Sequence, residues 1–109
     1  MALLENKKIA GYIGLAAKAG KIVFGTDACI DAIKRKKIDF LIIACDASER
    51  TKNKFKILCE NEEIKYLEWE NIELLSRTIG KNNKAIVGIK DKNLSNAIIK
   101  IINGGESIG

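Results

Sequence analysis

Hydrophobic positions alternate between two spacings along the 109 residues. Ile9, Ile13 and Ala16 fall at three- and four-residue intervals, one face of a helix that Asn6 can cap and Gly20 can close. Ile22-Val23-Phe24 then reads as a short strand. Gly25-Thr26-Asp27 turns the chain into a second helix, with Thr26 as its natural cap and Asp27 at the positive end of the dipole. That helix runs into Lys34-Arg35-Lys36-Lys37. Phe40 to Cys45 is a continuous apolar run, which predicts a central strand covered on both faces by helices.

Ser48 caps a third helix that turns Phe55, Leu58 and Cys59 to the core and Arg50, Lys52, Lys54 and Lys56 largely outward. Ile64 to Trp69 forms a third strand. Asn71 opens a short helix that runs through Ile79 and ends at Gly80, and Ala85 to Ile89 is the fourth strand. After Asp91, Leu94, Ala97, Ile98, Ile101 and Ile102 mark the cleanest helical face in the chain. No linker or repeat interrupts this order, and only the tail 104–109 looks loose. The alternation αβαβαβαβα predicts one α/β domain over 1–109 with its sheet between helix layers.

Composition agrees with a globule that needs no staples: 47% hydrophobic, 30% charged, no Pro and no His. Without His the commonest general base and most zinc sites are gone. Cys29, Cys45 and Cys59 are odd in number and widely spaced, which fits reduced core thiols better than disulfides or a metal pair. Lys7-Lys8 followed by an uncharged stretch imitates a secretory leader, but that stretch is weakly apolar and fits a helix face. The expected setting is the cytoplasm, with no membrane span.

The formal charge is +5, unevenly spread. Residues 1–59 carry 12 basic and 6 acidic groups, residues 60–75 carry 1 and 6, and residues 76–109 carry 6 and 2. A basic chain with one acidic interruption permits an anionic partner without requiring one.

Several motifs fail on chemistry. Five residues separate Gly14 from Gly20 where a phosphate loop has four, and Ile22 stands where Ser or Thr would bind magnesium. Gly11-Tyr12-Ile13-Gly14 has the form of an RNA-clamping GXXG loop, yet helical periodicity runs through it and helix packing accounts for it. Asp27, Asp31, Asp39 and Asp46 could meet at strand ends as a magnesium or phosphoryl-transfer site, although Asp27, Asp31 and Asp46 serve equally as helix-start residues or caps. The thiols lack a base. Lys34 to Lys37 exceed what a helix dipole needs, and with Lys21 they suit phosphate.

Ala19-Gly20-Lys21-Ile22-Val23-Phe24-Gly25-Thr26, then Phe40 to Asp46 with Ala47-Ser48, resemble the L-seven-Ae/L-thirty-e superfamily of ribosomal and ribonucleoprotein proteins that bind kink-turn RNA. Leu75 to Gly80 and Ala85 to Ile89 continue the likeness over essentially the whole chain. Ile13 to Lys21 are most similar to its bacterial YlxQ-type branch. The resemblance implies a three-layer α/β/α sandwich with a mixed four-stranded sheet. It also implies an RNA grip made by the turn before the second helix and the loop before the last strand.

In kink-turn binders that turn carries Gly, then Asn-Glu, with Lys one helical turn on. Here Gly25 and Thr26 are kept, while Asp27, Ala28 and Asp31 replace Asn, Glu and Lys. Asp27 accepts hydrogen bonds but cannot donate, Ala28 does neither, and Asp31 repels phosphate. Arg35 matches a basic contact, Ile86 an apolar loop position that supports a flipped base, and Lys81 and Lys84 make the loop basic. The RNA-contact set implied is Lys21, Gly25, Thr26, Asp27, Arg35, Lys81, Lys84 and Ile86, around one end of the sheet.

The primary expectation is therefore a non-enzymatic protein, monomeric or weakly oligomeric, that binds structured RNA without cofactor, metal or small-molecule substrate. The alternative is a protein-interaction adaptor on the same fold, using the acidic stretch Glu60, Glu62, Glu63, Glu68, Glu70 and Glu73.

Overall fold

The computed structural model describes residues 2–104. The elements run α1 (Leu3–Lys18), β1 (Ile22–Phe24), α2 (Thr26–Lys34), β2 (Phe40–Ile43), α3 (Glu49–Asn61), β3 (Lys65–Glu68), α4 (Ile72–Thr78), β4 (Ile86–Ile89) and α5 (Lys92–Ile102). The strands form a mixed sheet in the order β1-β4-β2-β3, with β2 and β3 parallel and the other pairs antiparallel. The apolar run sits where its composition demands: Phe40, Leu41, Ile42 and Ile43 are all fully buried.

Alternate side chains of β2 feed opposite layers, as the two-residue pleat requires. Phe40 and Ile42 join Ile9, Ile13, Leu75, Val87 and Ile98 in a cluster under α1, α4 and α5. Leu41 and Ile43 join Cys29, Ile33, Phe55 and Cys59 under α2 and α3. This is the three-layer sandwich. Gly88 has a packing reason to lack a side chain, because a Cβ there would lie 2.9 Å from Ile38 Cδ1. A Cβ at Gly14 would lie 3.7 Å from the Thr78 carbonyl of α4, an ordinary contact, and one at Gly11 would face open space, so close helix packing requires neither glycine of the GXXG form.

Four expectations at element ends change. The cap of α1 is Ala2, whose amide donates to Glu5 Oε1 at 3.1 Å. Asn6 lies inside the helix, accepting from Trp69 Nε1 and donating to Glu70 Oε2. The cap of α2 is Gly25, and Thr26 is the first helical residue. β2 stops at Ile43, which leaves Cys45 exposed in the following turn, so only Cys29 and Cys59 are core thiols. Ile102, expected on the apolar face of α5, is 39% exposed and lines an open pocket with Phe40, Ile64 and Tyr66. Except for Gly104, the tail lies outside the described residues.

Candidate nucleic-acid interface

Strand direction divides the charged groups between two ends of the sheet. At the apical end, β1 finishes at Phe24, β4 begins at Ile86 and β2 finishes at Ile43; the registers Phe24↔Val87 and Ile43↔Ile86 align them. Gly25 has φ 93° and ψ 156°, a backbone state nearly confined to glycine. Its amide donates to Ile86 O at 3.0 Å and its carbonyl accepts from Cys29 N at 3.1 Å. The turn thus holds the α2 N-terminus beside β4, with Thr26, Asp27 and Ala28 exposed and their amides outside the helical ladder.

The α4–β4 loop closes over the same end. Ser76 is buried and holds the loop by three hydrogen bonds: its Oγ accepts from Lys84 N at 2.7 Å and donates to Lys84 O at 3.2 Å, while its carbonyl accepts from Lys81 N at 2.8 Å. Asn83 completes the bend at φ 53°, a state Asn tolerates better than most residues. Asp46 Oδ1 fixes the start of α4 by accepting from Ile72 N at 2.8 Å.

The loop delivers two ammonium groups to one aromatic ring. Lys81 Nζ stands 5.0 Å and Lys84 Nζ 5.4 Å from the centroid of Phe24. Each contact contributes on the order of 0.5–1 kcal/mol at an exposed site and restricts a flexible arm. The two charges sit within about a Debye length of one another at 0.1 M salt. Among the described residues, none of the ion pairs involves either lysine. Beside them opens a groove of about 560 Å³ whose lining mixes both signs, with Arg77 and Lys81 facing Asp46 and Glu73 beside Asn82 and Asn83.

Not all the expected contact residues share this end. Gly25, Thr26, Asp27, Lys81 and Lys84 do. Ile86 is fully buried in the α2/α3 layer, so its side chain offers no surface, and its carbonyl instead anchors Gly25. Lys21 and Arg35 lie at the opposite, basal end: Lys21 O accepts from Lys90 N beyond β4, and Arg35 caps the C-terminus of α2. The nine residues of α2 place about 13 Å between the two ends. Arg35 Nε also pairs with Asp31 at 3.1 Å. The expectation of a single rim therefore gives way to two separate groups.

Phe24 and Ser76 were not singled out from sequence. An aromatic at a strand end carries the same pattern as a core residue, and only the folded loop brings the lysines to it.

The competing constellations disperse. Asp27 and Asp46 are apical, Asp39 precedes β2 at the basal end, and Asp31 pairs with Arg35, so the four carboxylates do not meet. Within the acidic stretch, Glu68 pairs with Lys52 at 3.5 Å and with Lys56, which holds its carboxyl below the usual range. Glu70 accepts from Asn6, Glu73 pairs with Arg77, and Glu60 accepts from Tyr66 Oη at 3.4 Å. Burial pushes the Cys29 and Cys59 thiols up to about 12. No helix among the described residues is long and apolar enough to cross a membrane.

This geometry has relatives. The chain is 30% identical over 90 residues to the RNA-binding protein YlxQ of Bacillus subtilis (strain 168), covering 83% of this chain and 90% of that protein. It is 33% identical over 100 residues to the RNA-binding protein YlxQ of Enterococcus faecium, covering 92% and 96%. A solved structure described as a protein with unknown function from Bacillus halodurans C superposes with a TM-score of 0.84 at 28% identity, over 88% of this chain and 97% of that one. The Giardia lamblia 15.5kD RNA binding protein shares the fold, with a TM-score of 0.80 at 18% identity over 100% and 93% of the two chains. Residues 7–99 match the model of one family. The chain belongs to the Ribosomal protein L7Ae/L30e/S12e/Gadd45 family, on its bacterial YlxQ branch.

Proposed function

We propose that this chain is a non-enzymatic, cytoplasmic RNA-binding protein that holds structured RNA at its apical end. The observation that carries this reading is the meeting of the Gly25 turn with Lys81 and Lys84 over Phe24. Two ammonium groups held close together and engaged in none of the ion pairs among the described residues suit a phosphodiester, and the adjacent helix amides add donors for a second one. The names of the YlxQ relatives support the same ligand class.

The mode of recognition departs from the kink-turn pattern. Asp27, Ala28 and Asp31 lack the donor, the second acceptor and the cation that address sheared G·A pairs and their phosphate, and Asp31 is engaged with Arg35. Binding at this site therefore relies on backbone contact and RNA shape more than on guanine edges. Crosslinking in cells followed by sequencing of the bound RNA identifies the target. With that RNA in vitro, Lys81→Gln/Lys84→Gln should weaken binding and flatten the slope of log affinity against log salt by about one unit per lysine, with little change in melting temperature. An unchanged affinity and slope would remove the apical end from the RNA site, and failure of the wild type to bind any RNA directly would favour the adaptor alternative.

A further inference from the structure

The basal end holds a concentration of charge that the apical site leaves unused. Lys21 and Lys90 are joined by a 2.8 Å backbone hydrogen bond at the start of β1 and the end of β4. Asp39 N donates to Ile89 O at 2.8 Å, which brings the α2–β2 connection, with Lys36 and Lys37, alongside that pair. Lys34 and Arg35 end α2. Lys18 ends α1, whose Ala16 carbonyl accepts from Lys21 N at 2.8 Å, and Lys92 opens α5. Around β1, β4 and the α2–β2 connection, eight cations thus meet three carboxylates, Asp31, Asp39 and Asp91.

Helix capping does not account for this group. Only Lys34 lies in the last turn of α2, and the end is closed by backbone groups, with the Lys36 and Lys37 amides donating to Ile33 O at 3.0 Å and Ala32 O at 2.9 Å while Lys36 takes φ 57°, so the cap makes no use of either ammonium group. Lys21 and Lys90 adjoin strands. Of the three carboxylates, Asp31 is engaged by Arg35, and Asp91 caps α5 by accepting from Leu94 N at 2.8 Å. The acidic turn Glu60, Glu62 and Glu63 lies beyond β2, where α3 passes to the edge strand β3, so the basal end is cationic over β1, β4 and the α2–β2 connection only.

We infer that this basal cluster is a second RNA-backbone surface, independent of the apical site, so that one molecule can hold two RNA segments at opposite ends of its sheet. The inference rests on the RNA-binding reading above. Lysine predominates, no aromatic ring is exposed in the cluster, and its one arginine is tied to Asp31. Base stacking and headgroup insertion therefore lack their usual side chains, and phosphate remains the group that this surface fits.

The test uses two short RNA duplexes, one labelled with a donor dye and one with an acceptor. The full chain is compared with Lys34→Gln/Lys36→Gln/Lys37→Gln and with Lys81→Gln/Lys84→Gln. The wild type should bring the two duplexes together and produce energy transfer. The basal triple variant should abolish transfer and lower the salt slope by about two to three units while still binding one duplex. The apical double variant should also abolish transfer but keep the basal share of the slope. Lys→Arg at the three basal positions should restore transfer, and that restoration excludes misfolding as the cause. Wild-type transfer and slope in the basal triple variant would overturn this inference alone. Loss of all binding in the basal variant with a silent apical variant would overturn the apical site and, with it, the holding of two segments by one molecule. No binding by the wild type to either duplex or to the crosslinked RNA would overturn both.

Discussion

Asp31 shows how one side chain changes a site twice. It places a carboxylate one helical turn past Asp27, where phosphate would otherwise approach, and it pairs with Arg35 at 3.1 Å between side chains that are both about two-thirds exposed. Such an exposed pair adds little stability, so replacing it is tolerable to the fold. Ala28 is exposed as well, which leaves room for a longer side chain. Asp27→Asn/Ala28→Glu/Asp31→Lys should therefore fold normally and gain affinity for a standard kink-turn, by roughly 1–3 kcal/mol for each polar or charged contact restored. Titration of one kink-turn RNA with both proteins checks this. Nanomolar binding by the natural sequence in physiological salt would show that the three departures matter less than their chemistry implies. Gly25→Ala, by contrast, should be destabilising by about 1–3 kcal/mol, because the turn's φ of 93° is the obstacle even though space is open around it.

At the scale of elements, the order and type of all nine were legible, because local periodicity decides each of them. Their joints were not. Asn6 resembles a cap because it is polar and precedes an apolar face, but its partners Trp69 and Glu70 lie more than sixty residues away, beyond any local signal. Cys45 extends an apolar run, and only the pairing of β2 with β4 shows that the strand has ended. Lys21 and Arg35 flank the Gly25 turn in sequence, yet a strand and an antiparallel helix carry them both to the far end. The α4–β4 loop is a similar case, since Ser76 reads as an ordinary helix serine until its hydroxyl is seen closing on Lys84. Ser76→Ala leaves the Lys84 amide and carbonyl without that partner and should be destabilising by about 1–3 kcal/mol. Amide exchange at Lys84 should accelerate, and RNA affinity should fall through misplaced lysines. Unchanged exchange at Lys84 would mean that the loop is held by something other than Ser76.

The whole molecule separates its titratable groups in a way that gives a definite pH profile. Glu68 is held below the ordinary carboxylate range, first by its hydrogen bond from Lys56, so its contribution is present above the unfolded pKa and is lost as pH falls through the lower folded value. Cys29 and Cys59 behave in the opposite sense. Burial raises both thiols to about 12, so the folded state keeps protons that the unfolded chain releases near pH 9. Stability should decline from there toward pH 12, by up to about 1.4 kcal/mol per pH unit for each thiol. With no His in the chain, no side chain has an ordinary pKa between these limits. Urea midpoints should accordingly form a plateau from roughly pH 5 to 9. Cys59→Ala should make the alkaline limb shallower while leaving the plateau flat, though lower if the small cavity is not refilled. A step in the urea midpoint between pH 6 and 8 would reveal a coupled group that these contacts do not contain.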